Sequence, residues 1–254
     1  MAVKALQVPR LANGLLRLAR IERRVAGTDL RYRLRYCDTL ILARGLFDGE
    51  EYGLLREDAG RIRTFIDLGC NVGLFPLYLC RLRGDRAIRG FLVDANPDVV
   101  REAQENLRLN GLSDRVGALH GLASGRQTGD DAFVIAQNTL SSTAETGLLG
   151  STFGTRTIRV PAIDVAAECE TRFTPGERID LLKLDIEGCE LEFLAANGEL
   201  LVRCDRVILE FHKPKVTLAA AEALLGEAGF TLVGARDRSE DPWGIAYFRR
   251  PAVN

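Results

Sequence analysis

The sequence predicts an α/β protein built around a doubly wound, mainly parallel sheet. The apolar run Thr64–Leu68 leads into a turn with glycines at positions 69 and 73, after which apolar residues recur at helical spacing. A second apolar run, Gly90–Asp94, ends in an acid 21 residues after Gly73. Near the C-terminus, two strand-like runs flank the polar turn 239–244 and predict a closing antiparallel hairpin. This order of elements is typical of sheets that bind nucleotide ligands at the carboxyl ends of their strands.

Residues 1–60 are predicted to form an N-terminal helical and strand extension, and residues 61–254 the main domain. Residues 1–26 have the leucine stripe and offset arginines of an amphipathic helix, whose basic face we expect to be solvated. The alternation in Leu30–Tyr36 predicts a strand. The segment Leu40–Tyr52 is predicted to lead over the ligand pocket as a lid. Glu50 and Tyr52 would lie at its lip, where ordinary surface positions are the simpler interpretation.

The glycine turn indicates which nucleotide the pocket takes. It lacks the middle glycine of G-x-G-x-x-G, and the chain contains no G-x-x-x-x-G-K-[ST] motif. Asp67, at the end of the first strand, would repel a pyrophosphate but attract a cationic amino-acid tail. These features favour S-adenosylmethionine over a dinucleotide or a nucleoside triphosphate.

Residues of this turn and of the next strand are predicted to contact different groups of the cofactor. We predict that Asp67 faces the ammonium side of S-adenosylmethionine. The backbone of Gly69, Asn71 and Gly73 would line the carboxylate and the sulfonium, because glycines and the first N–H groups of a helix admit polar ligand atoms. Asp94, followed by Ala95, would bind the ribose hydroxyls. The helix after Asp94 is predicted to start at Asn96-Pro97 and to end at Gly111.

Two later strands are predicted to bring four ionisable side chains to the same edge of the sheet. One strand occupies residues 179–184 and the next residues 206–212, and parallel neighbours end in one crevice. The four side chains are those of Asp185, Glu187, Glu210 and His212. Asp185 ends the strand beside the cofactor strand, and we predict that it contacts the cofactor as well. For Glu190 we prefer a simple helix cap, and for His120, inside the third strand 115–123, a core or edge position.

Several segments resemble the FkbM-type methyltransferases. They are Phe65–Gly73, Val93–Pro97, Glu105–Gly111 and above all Asp180–Glu190, whose K-x-D-x-E-G-x-E pattern is the most specific. The resemblance runs from about Thr64 to Phe248 and implies a seven-strand, Rossmann-like methyltransferase fold that uses S-adenosylmethionine. Many members of the family methylate hydroxyls of sugars, polyketides and other natural products.

The resemblance also bears on the substrate side of the pocket. It implies that Asn138, Ser141 and Ser142, in the long insertion 124–160, line that pocket. Cys70 and Asp94 stand where the family would have alanine and glutamate. Residues 1–60 carry no match, and there we expect substrate identity to be decided.

The predicted chemistry is methyl transfer to a hydroxyl of a small molecule. An alcohol is a weak nucleophile at neutral pH, so a base is expected within hydrogen-bond reach. We predict His212 or Glu187 as that base, with Asp185 and Glu210 orienting the acceptor. The same four groups could instead hold Mg²⁺ or Mn²⁺, an alternative that we do not favour.

Composition limits the partners and the compartment. A net charge of −1 over 254 residues gives no signature of nucleic-acid binding, and no apolar run has membrane length. Six cysteines without C-x-x-C spacing are expected to be reduced thiols in the cytoplasm. The amphipathic N-terminal segment makes a homodimer plausible. The rival interpretations are a non-catalytic scaffold that retains the fold and a nicotinamide-dependent oxidoreductase.

Overall fold

A computed structural model describes residues 13–16, 18–123, 130–135 and 156–251, with only the backbone for residues 130–135 and 156. The strands are β1 (Glu22–Arg24), β2 (Arg31–Arg33), β3 (Thr64–Leu68), β4 (Arg89–Asp94), β5 (Val116–His120), β6 (Asp130–Ile135), β7 (Arg156–Pro161), β8 (Leu181–Leu184), β9 (Arg206–His212), β10 (Thr231–Arg236) and β11 (Trp243–Arg249). The α-helices are α1 (Asp38–Ala43), α2 (Phe75–Arg83), α3 (Pro97–Leu109), α4 (Val165–Arg172), α5 (Glu190–Ala196), α6 (Gly198–Arg203) and α7 (Leu218–Glu227).

The predicted fold class is confirmed. Seven strands form one sheet in the order β10-β11-β9-β8-β3-β4-β5. The five strands from β9 to β5 are parallel, and β11 pairs antiparallel with both β9 and β10. All five residues of β3 are buried, as expected for a central strand covered on both faces. The sheet therefore has a hydrophobic core on each face. In β3, Phe65 packs into one core and Ile66 into the other.

The helix ends follow from their sequence signals. Asn96 caps α3 by accepting a hydrogen bond from the Asp98 N–H, and Pro97 occupies the first helical position. Thr217 caps α7 in the same way. Gly84 follows α2 in the left-handed conformation that favours glycine. Asn96 and Thr217 thereby end the loops at the carboxyl edge of the sheet that precede α3 and α7.

The N-terminal extension differs from its prediction. Helical residues are found at 13–16 and 18–19, but residues 22–24 form β1, which pairs with β2, so the predicted helix to residue 26 is wrong at its end. Pairing with β2 overrides local helix propensity here. The Asn106 and Asn110 side chains accept hydrogen bonds from the Arg33 and Arg31 N–H groups and so attach β2 to α3.

The insertion after β5 contains a second two-stranded element. Strands β6 and β7 pair antiparallel, whereas the sequence indicated only an extended piece at residues 158–164. Asn138, Ser141 and Ser142, implied by the family resemblance to line the substrate pocket, lie outside the described residues. Within the described part of the chain, every helix is too short or too polar to cross a membrane.

Candidate functional site

A large cavity opens at the carboxyl ends of β3, β4, β8 and β9. Its volume is about 1300 Å³, enough for a nucleoside-sized ligand and a small second molecule. The turn after β3 and the end of β4 line one part of it, and the ends of β8 and β9 line the neighbouring part. Residues of the segment Leu40–Tyr52 border it as well, which is where the predicted lid was placed.

The glycine turn after β3 lies close to the loop after β8. Gly69 has a φ of +76°, and a Cβ added there would lie 1.6 Å from the Asp185 carbonyl oxygen, so no larger residue fits. Asn71 also has a positive φ, of 48°. Gly73 packs against Ala103 of α3, with an added Cβ 2.7 Å from the Ala103 Cβ. Gly69 and Asn71 line the cavity, while Gly73 serves helix packing behind it.

Asp94, which we predicted to bind the ribose, ends β4 and lines the cavity. Its two carboxylate oxygens accept hydrogen bonds from the Asn71 and Asn96 N–H groups, each at 2.8 Å, and the side chain lines the cavity beside Ala95. Burial raises the pKa of Asp94 to about 6, and the two backbone hydrogen bonds oppose that rise. Each oxygen retains a lone pair for a ribose hydroxyl, so the residues present fit a nucleoside cofactor.

Asp67 is not among the residues that line the cavity. It is fully buried and lies 3.0 Å from the Lys183 ammonium. That ammonium also donates to the Gly69 carbonyl at 3.1 Å and lies 3.3 Å from the Asp185 carboxylate. Asp185 is the carboxylate of this group that lines the cavity, and a direct contact between Asp67 and the cofactor stays a prediction. Lys183 is the lysine of the K-x-D-x-E-G-x-E pattern, but the pattern alone assigns it no role in the site.

The structure brings together all four predicted catalytic side chains. The Nε2 atom of His212 lies 3.6 Å from a Glu187 oxygen and 3.8 Å from oxygens of both Asp185 and Glu210. All four residues line the cavity next to the glycine turn. Parallel neighbours β8 and β9 end together, which explains this convergence.

Glu190 is more than a helix cap. It is fully buried, and one carboxylate oxygen lies 2.9 Å from the His212 Nδ1 atom. The same oxygen accepts hydrogen bonds from the Ile186 and Gly188 N–H groups, at 3.2 and 3.1 Å. Glu190 thus holds both the imidazole and the turn that carries Glu187. In the sequence, this role is indicated only by the K-x-D-x-E-G-x-E pattern, in which Glu190 follows Glu187 by three residues.

The charge state of His212 follows from these contacts. Burial lowers the pKa of the imidazole, but the hydrogen bond to Glu190 and the charges of Asp185 and Glu187 outweigh burial and raise the pKa to about 10. A pKa this high favours the imidazolium form at neutral pH, in which Nδ1–H donates to Glu190. A protonated imidazole cannot accept a proton from an acceptor hydroxyl.

The carboxylic acids around His212 bind protons more tightly than isolated acids. Burial and the charge of Asp185 raise the pKa of Glu187 to about 8, although the His212 charge opposes the rise. Burial, followed by the charges of Asp185 and Glu51, holds the pKa of Glu210 well above its usual range. Glu187 thus has a pKa near neutral pH.

The lid segment supplies two further side chains. Tyr52 is buried, and its hydroxyl donates a hydrogen bond to Glu210 at 3.0 Å. Glu51 lines the cavity, whereas Glu50 is exposed and pairs with Arg56.

His120 ends β5, is exposed, and has Nε2 3.1 Å from the Ala95 carbonyl oxygen.

The cluster also has the donor set of a metal site. Ligand atoms of Asp185, Glu210 and His212 lie within 4.8 Å of one another. Because Glu190 is hydrogen-bonded to Nδ1 of His212, the Nε2 atom faces the carboxylates. The same arrangement occurs around metal-bound histidines. The geometry therefore permits either proton transfer or cation binding.

Comparisons with known proteins agree with this geometry. Residues 67–232 match the methyltransferase FkbM domain. The chain is 32% identical over 201 residues to the methyltransferase sdnD of Sordaria araneosa, covering 69% of this chain and 75% of that protein.

Two solved structures share the fold. Magnesium protoporphyrin IX methyltransferase of Synechocystis PCC 6803, solved with bound S-adenosylmethionine, has a TM-score of 0.50 and 15% identity, over 97% of this chain and 96% of that chain. The METTL16 methyltransferase domain also has a TM-score of 0.50 and 15% identity, over 82% of this chain and 68% of that chain. The chain belongs to the FkbM methyltransferase family, and its cofactor is S-adenosylmethionine.

Proposed function

We propose that this methyltransferase acts on a hydroxyl group of a small molecule, such as a sugar, a polyketide or another natural product. The observation that carries the proposal is the position of Glu187. It lines the same cavity as Asp94 and lies 3.6 Å from His212 Nε2, and its pKa of about 8 is close to neutral. A hydroxyl acceptor needs a base with such a pKa, whereas a neutral amine is nucleophilic without one.

The protein's main task is to align two molecules. S-adenosylmethionine supplies a methyl group on a sulfonium, open to in-line displacement by a nucleophile. Asp94 would hold the ribose, the Gly69 and Asn71 backbone would border the amino-acid end, and Asp185 would attract the ammonium. Holding donor and acceptor in line can contribute about 7–11 kcal/mol to the lowering of the barrier.

Glu187 is our choice of base between the two candidates that the sequence offered. The acceptor hydroxyl would give its proton to the Glu187 carboxylate as its oxygen attacks the methyl carbon. His212, kept cationic by Glu190, would stabilise the Glu187 carboxylate before the proton arrives. Such a base is worth about 10²–10⁴-fold in rate.

Asp185 and Glu210 would orient the acceptor. Both line the cavity within 4 Å of His212, and Tyr52 fixes the Glu210 carboxyl group through its hydrogen bond. Binding of Mg²⁺ or Mn²⁺ by the same residues stays the less favoured alternative.

The remaining assignments are proposals of the same kind. A small-molecule acceptor, rather than nucleic acid or a membrane, agrees with the near-zero net charge. A cytoplasmic location is supported by six cysteines that are all free thiols. A homodimer, through the N-terminal segment, is compatible with the exposed Leu15 and Leu18.

The test is transfer of a ¹³C-methyl group from S-adenosylmethionine to a library of hydroxylated small molecules. We expect the label as a methyl ether in the products. The Glu187→Gln variant should keep cofactor affinity but lose about 10²–10⁴-fold in turnover. Glu192→Gln, an exposed change on α5, is the matched control. Label on nitrogen or carbon, or full turnover of Glu187→Gln, would contradict the proposal.

A further inference from the structure

The end of the cavity away from the cofactor turn is mainly basic, although Asp241 also lines it. Four cationic residues line it, all from the chain after β9, and we call them the basic rim: Lys213, Lys215, Arg236 and Arg238. The cluster at the ends of β8 and β9 is dominated by carboxylic acids. We propose that the methyl acceptor carries an anionic group, a carboxylate or phosphate, which Arg236 and Arg238 bind beside Trp243. This inference rests on the proposed hydroxyl-directed function.

The sheet register places the rim next to the reacting groups. Trp243 is the β11 partner of His212, and Ile245 is the partner of Glu210. Across the next pair of strands, Ile245 is opposite Arg236. Partners in adjacent strands project from the same face, so Glu210, Ile245 and Arg236 form one row. Two strand spacings put the Glu210 and Arg236 Cα atoms about 10 Å apart.

The two guanidinium groups are accessible to a ligand. Both arginines are exposed at the cavity. Arg236 donates to the Glu50 backbone carbonyl at 2.7 Å, which uses one of its five N–H groups. The Arg238 guanidinium makes no hydrogen bond or ion pair with another described residue. Lys213, in contrast, is paired with Asp237 at 3.0 Å. Arginine forks match carboxylate and phosphate oxygens in a bidentate way.

The opposed charges would orient the acceptor. An anionic group is attracted to the two exposed arginines. The uncharged hydroxyl end then points toward Glu187. Trp243, 36% exposed, offers a flat surface beside the bound molecule.

The experiment uses the one tryptophan of the chain as its reporter. Trp243 gives a single indole N–H signal in the spectrum of ¹⁵N-labelled protein saturated with S-adenosylhomocysteine. Three matched probe pairs are titrated: glucuronate with glucuronamide, mandelate with mandelamide, and glucose 6-phosphate with glucose. We expect at least one anion to shift the indole signal at a concentration about tenfold or more below its neutral partner. The acid and phosphate pairs separate the two sources of charge.

Variants assign the effect to the rim. The preference for the anion should disappear in Arg236→Gln/Arg238→Gln and be reduced in Arg238→Gln alone. It should persist in Arg101→Gln/Arg108→Gln, two exposed arginines of α3 away from the cavity. Neutral probes that bind as well as anions, an unchanged preference in the double variant, or no shift by any anion at millimolar concentration would overturn the inference. Failure to bind S-adenosylhomocysteine would instead be a failure of the proposed function.

Discussion

Replacing Glu190 by glutamine tests the charge arrangement on which the proposed base depends. Glu190 raises the pKa of His212 both through its hydrogen bond to Nδ1 and through its charge. Glutamine keeps an oxygen acceptor but removes the charge. Removing one opposite charge at this distance is worth about one to three pH units. The pKa of His212 should therefore fall from about 10 to between about 7 and 9, held above its ordinary value by Asp185 and Glu187.

The assay is an NMR titration of the imidazole signals. The chain has only two histidines, so two titration curves are expected. The His120→Asn variant removes one of them and assigns the other to His212. Glu192→Gln, exposed on the same helix, controls for a general effect of charge removal. The measurement needs no knowledge of the methyl acceptor.

Two results would refute this reasoning. One is a His212 curve that is unchanged in Glu190→Gln. The other is a wild-type His212 that titrates below neutral pH. In the second case the imidazole would be neutral in the working enzyme, and His212 would replace Glu187 as the preferred base.

Four further predictions follow from the same contacts. Asp94→Ala should remove a charge-assisted hydrogen bond worth about 1.5–3 kcal/mol and weaken S-adenosylhomocysteine binding about 10- to 150-fold by calorimetry, with Asp98→Ala as the control. Gly69→Ala should fold poorly or lose the cofactor, measured by thermal unfolding with and without S-adenosylhomocysteine, because its Cβ would overlap the Asp185 carbonyl. Methyl transfer should survive EDTA; loss of activity that Mg²⁺ or Mn²⁺ restores would establish the metal alternative. Finally, the folded protein binds the His212 proton more tightly than the unfolded chain, since the pKa rises from 6.5 to about 10. That stabilisation is fully present below pH 6.5 and is lost as pH rises to about 10, so urea unfolding should show a decrease on the order of a few kcal/mol that His212→Gln reduces.

Elements of the sheet could be predicted because their signals are local. The sequence predicts strand β9 at its observed residues, and the Asn96-Pro97 signal predicts the start of α3. The convergence of Glu187 and His212 followed from one rule about parallel strands. Such features depend on residues close in sequence or on a topology with few alternatives.

Contacts between distant parts of the chain could not be predicted. The Tyr52 hydroxyl meets Glu210 across 158 residues of sequence, and no local pattern marks that pair. Lys183 reads as one polar residue in an apolar strand, and only the fold places Asp67 and Asp185 beside its ammonium. The partial helix at the N-terminus was overestimated for the same reason, because β1 is stabilised by its pairing with β2.

The preference for Glu187 over its neighbours follows from exposure as well as from pKa. Several carboxylic acids surround the two cations Lys183 and His212, and like charges raise one another's pKa. A base must also release its proton to solvent after each turnover. Glu190 is fully buried and the Glu210 side chain is 13% exposed, whereas the Glu187 side chain is 35% exposed. On the proposed function, we therefore expect Glu187 to be the acid that receives a proton from the acceptor and passes it to water, while the buried Glu190 holds His212 in place.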